Sequence, residues 1–332
     1  MRAIQAARAG GPDVLEVVDL PAPSPGPGEV LVDVAVAGVN FIDTYRRSGV
    51  YTQPFPHVPG VEGAGVVSAL GADVTEVAVG DRVAWFDAHG SYAEQVVVPA
   101  DRTLAVPDDV DLPTAAALAL QGLTAHYLAT SSFDLAPGRT ALVHAGAGGV
   151  GLLLTQLAVA RGAHVMTTVS SEAKAELSRT AGASEVLRYD LLDDLATELP
   201  ALVRSALPEG VDVVYDGVGR TTFDASLASL AVRGTLVLFG GSSGQVPPFD
   251  LQRLNTGGSL FVTRPTLAHH VRTRGELLER SDELFRLAGV GALRAHVGLT
   301  LPLAEAAAAH TALEGRRTTG KVLLEVTPGA AS

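Results

Sequence analysis

Two hydrophobic rhythms divide the chain. Up to about residue 110, apolar positions alternate with polar ones or fall in short runs. Glu29–Val39, EVLVDVAVAGV, has the two-residue period of a half-buried strand. Val61–Leu70, Arg82–Phe86 and Tyr92–Val98 predict further short strands, separated by turns at Gly71-Ala72-Asp73 and Gly80-Asp81. The proline-rich run from Pro21 to Gly28 is too short for an interdomain linker and reads as a rigid extended connection. These features predict a small β-barrel-like module.

From Leu112 to Phe133 the pattern turns helical and alanine-rich. Strands and helices then alternate: strand Thr140–Ala145, a helix from Val150 to about Arg161, and strands Ala163–Val169 and Val211–Asp216. Helix Thr222–Leu230 follows, then strands Thr235–Phe239 and Ser259–Val262. Such alternation predicts a parallel, doubly wound sheet. Helices Arg274–Ala288 and Leu303–Leu313 and a final strand, Lys321–Val326, complete the chain.

The first strand–helix junction of the second region reads Gly146-Ala147-Gly148-Gly149-Val150-Gly151, a G-x-G-x-x-G turn between a strand and a helix. That context is what a dinucleotide site requires. Gly146 is expected to turn the chain sharply, and Gly148 and Gly149 to leave bare backbone for a pyrophosphate. Gly151 is expected to let the helix, starting at Val150, pack close, with its free N–H groups and dipole facing the phosphates. Dinucleotide sites that prefer NAD carry an acid about twenty residues on, at the tip of the next strand. Here that tip is Val169-Ser170-Ser171, with Lys174 one turn further. Hydroxyls and a cation suit a 2′-phosphate, so NADPH is the expected cofactor. Glu172 dissents and is expected to face solvent at the helix N-terminus. By spacing alone, Lys174 is equally a solvated helix charge.

Composition narrows the field. The chain has 332 residues, ample for two domains, and no cysteine, which excludes disulfides and thiolate metal sites. Its net charge of −12 argues against nucleic acid or an anionic membrane as partner. No signal-type segment opens the chain, and polar residues interrupt its apolar helices, so a cytoplasmic location is expected. His57 and His89 lack the fixed set of further ligands that a metal site needs.

Several strings together resemble the zinc-free NADPH:quinone oxidoreductases of the medium-chain dehydrogenase/reductase superfamily. They are Gly38-Val39-Asn40-Phe41-Ile42-Asp43-Thr44-Tyr45, Pro59-Gly60-Val61-Glu62-Gly63-Ala64-Gly65, the glycine turn, Val214-Tyr215-Asp216-Gly217-Val218-Gly219, Val262-Thr263-Arg264-Pro265 and Gly320-Lys321. The resemblance implies an α/β protein with a GroES-like β-barrel catalytic domain and a Rossmann doubly wound parallel sheet. The expected division is 1–123, 124–262 and a return to the first domain over 263–332, with a cleft active site and a homodimer. Zinc-dependent relatives have a cysteine near the position of Asn40 and Gly-His-Glu where this chain has Gly60-Val61-Glu62, so no metal is expected.

The resemblance also assigns roles. Asn40, Asp43 and Tyr45 would lie on the loop that meets nicotinamide and substrate, and Tyr45 or Tyr51 would hydrogen-bond a developing oxyanion. Each tyrosine is equally readable as a packing residue. Tyr189, Arg264 and Arg316 resemble cofactor contacts, joined by Asn40, Phe239, Gly240, Ser242 and Gly217, the last often a serine in relatives. The implied reaction is hydride transfer from NADPH to a small-molecule quinone. Reduction of an activated C=C bond, as in an enone or acrylate, and a non-enzymatic NADPH-binding role are the alternatives.

Overall fold

The structure, a computed structural model, describes residues 1–327. The chain forms two compact units. The first comprises Met1–Leu123 and the stretch from Thr273 onward; the second is Thr124–Arg272. The second unit thus runs ten residues past the expected changeover at 262. Strand Phe261–Thr263 closes its sheet, and Tyr127 stacks on His270 with ring centroids 4.3 Å apart.

The strands in chain order are β1 (Arg2–Ala6), β2 (Leu15–Asp19), β3 (Glu29–Val39), β4 (Gly63–Leu70), β5 (Arg82–Trp85), β6 (Gln95–Pro99) and β7 (Leu104–Ala105). The second unit adds β8 (Thr140–Val143), β9 (His164–Val169), β10 (Glu185–Arg188), β11 (Val211–Asp216), β12 (Leu230–Leu238) and β13 (Phe261–Thr263). Back in the first unit are β14 (Val297–Pro302) and β15 (Lys321–Glu325).

In the first unit β1 pairs with β2, and a larger sheet runs β14-β15-β3-β4-β5-β7, with β6 also on β3. Central β3 is buried along nearly its whole length; only Asp33 is exposed. Its alternation predicted one dry face, yet both are dry. Ala35 and Gly38 are small enough to admit packing on the second face, and helix Leu112–Ala119 packs on β3, β4 and β5. The stretch expected to be helical over 112–133 is so, but is divided at Leu120. Helices Leu112–Ala119 and Gln121–Tyr127 meet there, and a π-helical turn, Leu128–Ser132, follows. At the interruption the Leu120 N–H donates to Glu62 Oε1 at 2.6 Å.

The second unit is a parallel sheet of order β10-β9-β8-β11-β12-β13. Its strands run outward in both directions from the β8–β11 pair, the doubly wound arrangement whose ligand crevice lies at the carboxyl ends where the order reverses. β12 starts at Leu230, inside the predicted helix, which is confined to Phe223–Ala228. Among the described residues no helix is long and apolar enough to cross a membrane.

Candidate active site

The glycine turn stands at that reversal point. β8 ends at Val143, two residues early, because Ala145 adopts left-handed backbone with φ 53° and turns the chain. The sharp turn expected of Gly146 therefore belongs to Ala145. Gly146 is required for a different reason: a Cβ there would lie 2.5 Å from Thr167 Cβ and 2.9 Å from Ser178 Oγ. At Gly151 a Cβ would lie 2.3 Å from the Ala145 carbonyl oxygen, so the expected close packing of helix on turn is real. The helix Gly149–Ala160 starts one residue before Val150, and no side chain caps Gly148 at its head. Its first intrahelical bond is from the Leu152 N–H to Gly148 O, so the preceding N–H groups of the first turn suit a phosphate.

At the tip of β9 the three predicted residues converge. Lys174 Nζ donates to Ser170 Oγ at 3.2 Å, and the Lys174 N–H donates to Ser171 Oγ, the N-cap of helix Glu172–Thr180. Exposed Glu172 is engaged elsewhere, by Arg179 at 2.8 Å and Arg188 at 2.9 Å. Tyr189 opens the single turn Tyr189–Leu191 just after β10. Past β11 and β12, two loops interlock. Ser242 N–H donates to Gly217 O, and a Cβ on Gly217 would meet the Phe239 ring at 2.8 Å. A serine there would strike that ring. Gly240 packs as tightly, its missing Cβ 2.4 Å from Gly217 O. Arg264 is exposed and donates to Leu238 O at 3.1 Å. Arg316 lies in the first unit, exposed, in left-handed backbone after helix Ala306–Glu314.

Sequence reasoning missed the polar chain behind this crevice. Buried Asp216 accepts from Thr222 Oγ1, Ser226 Oγ and the N–H groups of Val218 and Gly219, all within 2.9 Å. Ser226 spends its proton on Asp216, so it accepts from His144 Nε2, 3.0 Å away, and His144 Nδ1 accepts from Thr168 Oγ1. Burial lowers the His144 pKa, keeping the ring neutral. The chain ties the ends of β8, β9 and β11 together, fixing the loops that carry the glycines.

The first unit holds a second buried polar cluster. Asn40, at the junction after β3, N-caps the helix Phe41–Ser48, so Asp43 and Tyr45 stand on a helix rather than on the expected loop; the Asn40 N–H donates to Asp43 Oδ2 at 2.9 Å. Asn40 Nδ2 donates to Glu62 Oε2 at 2.6 Å, and Lys321 Nζ donates both to Asn40 Oδ1 and to Glu62 Oε2. Gln121 Nε2 adds a bond to Asn40 Oδ1 at 3.2 Å. Room for this pair comes from Gly38, where a Cβ would sit 2.1 Å from Glu62 Oε2. Glu62, Asp43 and Lys321 are each at most 1% exposed. Tyr45 is half-buried and meets the partly exposed Tyr51 edge to face at 5.6 Å.

From Asp43 a hydrogen-bonded chain leads away. Buried Arg47 can only donate, so His310 Nδ1, 3.1 Å away, accepts and the ring proton sits on Nε2. Nε2–H donates to Tyr92 O, and Tyr92 O–H donates to Asp43 Oδ2 at 3.2 Å. Glu314 anchors Arg47 at 2.7 Å. Burial, then Arg47, lowers the His310 pKa to about 3, and burial pushes the Asp43 carboxyl up to about 7 against the pull of the Asn40 N–H and Lys321. A raised acid stabilises the fold below its unfolded pKa and loses that contribution as pH rises to the folded value. Between pH 4 and 7, the stability of Asp43→Asn relative to wild type is therefore expected to grow by about 1.4 kcal/mol per pH unit. Urea unfolding at several pH values checks this; a pH-independent difference would refute it.

Residues 26–108 match the alcohol dehydrogenase GroES-like domain family, and residues 149–280 match the zinc-binding dehydrogenase family. A quinone oxidoreductase of Pseudomonas aeruginosa is 45% identical over 97% of this chain and 98% of its own. A mycobacterial protein solved with NADPH is 52% identical, with a TM-score of 0.95 over 98% of this chain and all of its own. The Escherichia coli quinone oxidoreductase solved with NADPH is 40% identical, with a TM-score of 0.94 over the same shares. The zinc in the second family's description does not fit the residues here. Where zinc relatives carry cysteine and histidine, this chain has Asn40 and Val61, and Glu62 is already bonded to the ammonium of Lys321. A GroES-like segment, a doubly wound nucleotide unit and near full-length likeness to these enzymes converge: the chain belongs to the quinone oxidoreductases of the medium-chain dehydrogenase/reductase superfamily.

Proposed function

We propose that the chain reduces small quinones with NADPH, by hydride transfer without a metal. The observation that carries this reading is 45% identity, over 97% of the chain, to a quinone oxidoreductase, joined to a nucleotide unit whose Ser170, Ser171 and Lys174 suit a 2′-phosphate. The turn from Gly146 to Gly151 would take the pyrophosphate, and Tyr189, Gly217, Phe239, Gly240, Ser242 and Arg264 would surround the rest of the cofactor; Asn40 and Arg316, whose cofactor roles rest on the family resemblance, belong to the first unit. When bound, the cofactor supplies the hydride. The protein's own task is light, because a quinone's carbonyls already withdraw electrons and reduction restores an aromatic ring. Tyr45 or Tyr51 would hydrogen-bond the developing oxyanion, and Asn40 would orient the ring that meets it.

A homodimer fits β13, the outer strand of its sheet, which exposes Phe261 and Val262 and an unpaired edge. A light-scattering mass of one chain would sink that part. The net charge of −12 argues against nucleic acid and anionic membranes as partners and is compatible with a cytoplasmic enzyme. Oxidation of NADPH, followed at 340 nm with 1,4-benzoquinone and with a simple enone, tests the function. Rapid turnover of the quinone, undiminished by a chelator, is expected. Turnover of the enone alone would reassign the substrate class, and turnover of neither would leave an NADPH-binding protein without this activity.

A further inference from the structure

Glu172 stands about twenty residues past Gly151, where a dinucleotide site that prefers NAD keeps its acid. It is the first residue of the helix that Ser171 caps, just beyond the tip of β9. A carboxylate there accepts from a ribose 2′-OH and repels a 2′-phosphate. In this chain both its oxygens are held. Oε1 accepts from Arg179 Nη1 at 2.8 Å, and Oε2 from Arg188 Nη1 at 2.9 Å. The clamp is itself anchored. Arg188 ends β10 opposite Val169, and its Nε and Nη2 donate to Asp190 Oδ1 and Oδ2 at 2.7 and 2.6 Å. Its planar fork thus bridges two acids across the ends of β9 and β10. Arg179, two turns along the helix from Glu172, also reaches Glu176 at 3.3 Å. Exposed ion pairs of this kind contribute little to stability. What they set here is the charge that a ligand meets.

We propose that Arg188 and Arg179 determine cofactor specificity: by holding Glu172 they let a 2′-phosphate settle on Ser170, Ser171 and Lys174. The inference rests on the NADPH reading of that same site. The two arginines are positioning residues, acting through Glu172 rather than as ligands of the phosphate. A phosphate monoester carries a charge of about −1.5 to −2 at neutral pH, and Lys174, bonded to Ser170, is the cation beside it. A glutamate released from both arginines would set its own charge against that of Lys174. Its oxygens would also be open to the 2′-OH of NADH, so its release lowers the preference from both sides.

The test is calorimetric binding of adenosine 2′,5′-bisphosphate and of AMP to the full chain, at about 0.01 M salt where screening is weak. These probes carry only the adenosine end of the cofactor and differ in the 2′-phosphate. Replacing both arginines, Arg179→Gln with Arg188→Gln, is expected to weaken the bisphosphate about three- to tenfold. AMP is expected to bind no more weakly than to wild type. Adding Glu172→Gln to that pair should recover most of the loss. Adding Glu176→Gln, which removes the same charge one turn further along the helix, should recover little. Should the double variant not fold, Arg188→Gln alone carries the same comparison. No weakening of the bisphosphate, equal weakening of both probes, or recovery that does not single out Glu172→Gln overturns the proposal. A wild type that binds the two probes alike removes the 2′-phosphate itself from this site, and the NADPH reading falls with it.

Discussion

Replacing Lys321 with methionine is expected to destabilise the protein by about 3–5 kcal/mol, the cost of leaving one member of a buried ion pair alone. Lys321 is 1% exposed and Glu62 wholly buried. Without the ammonium, the Glu62 carboxylate keeps only the N–H donors of Asn40 and Leu120. Those donors cannot neutralise a full charge out of contact with water. The double variant Glu62→Gln with Lys321→Met removes both charges and should recover much of the loss, since the pair itself contributes little beyond its own desolvation. Denaturant unfolding of the two variants distinguishes the cases. A single variant within 1 kcal/mol of wild type would mean that the pair is not isolated from solvent.

Lys174→Ala is expected to weaken NADPH binding by roughly 1.5–3 kcal/mol and NADH binding hardly at all. The lysine is held by Ser170 at the tip of β9, where a 2′-phosphate would lie, and the acid two residues before it, Glu172, is drawn off by Arg179 and Arg188. Titration of both cofactors by fluorescence measures the discrimination. Equal weakening of the two, or a wild type that prefers NADH, would remove the 2′-phosphate from this site.

The nucleotide unit was legible because its signals are local. A strand, a glycine turn and a helix follow one another within thirty residues, and the close packing that demands Gly151 involves Ala145, six positions away. The residues at the tip of β9 lie within one helical turn of each other. Even so, the reason for Gly146 was misread. Its constraint comes from Thr167 and Ser178, which only the neighbouring strand and helix bring near, and the left-handed turn fell to Ala145.

In the first unit the pattern of apolar residues located the main strands but not their surroundings. Alternation in β3 foretold one buried face; the second is buried by a helix whose position no local rhythm encodes. The interruption at Leu120 coincides with a bond to Glu62, 58 residues earlier, which no local pattern encodes. The sequence alone determined the two-region architecture, the nucleotide turn and the absence of a thiolate metal site, since these follow from periodicity, close spacing and composition. Tertiary structure alone decided what Asn40 and Asp43 do. Their partners Lys321 and, through Tyr92, His310 lie more than 260 residues away, and only the pairing of β15 with β3 and the packing of helix Ala306–Glu314 bring those groups into the dry interior. There, removal from water, rather than residue type, sets which proton is held and which oxygen is left open.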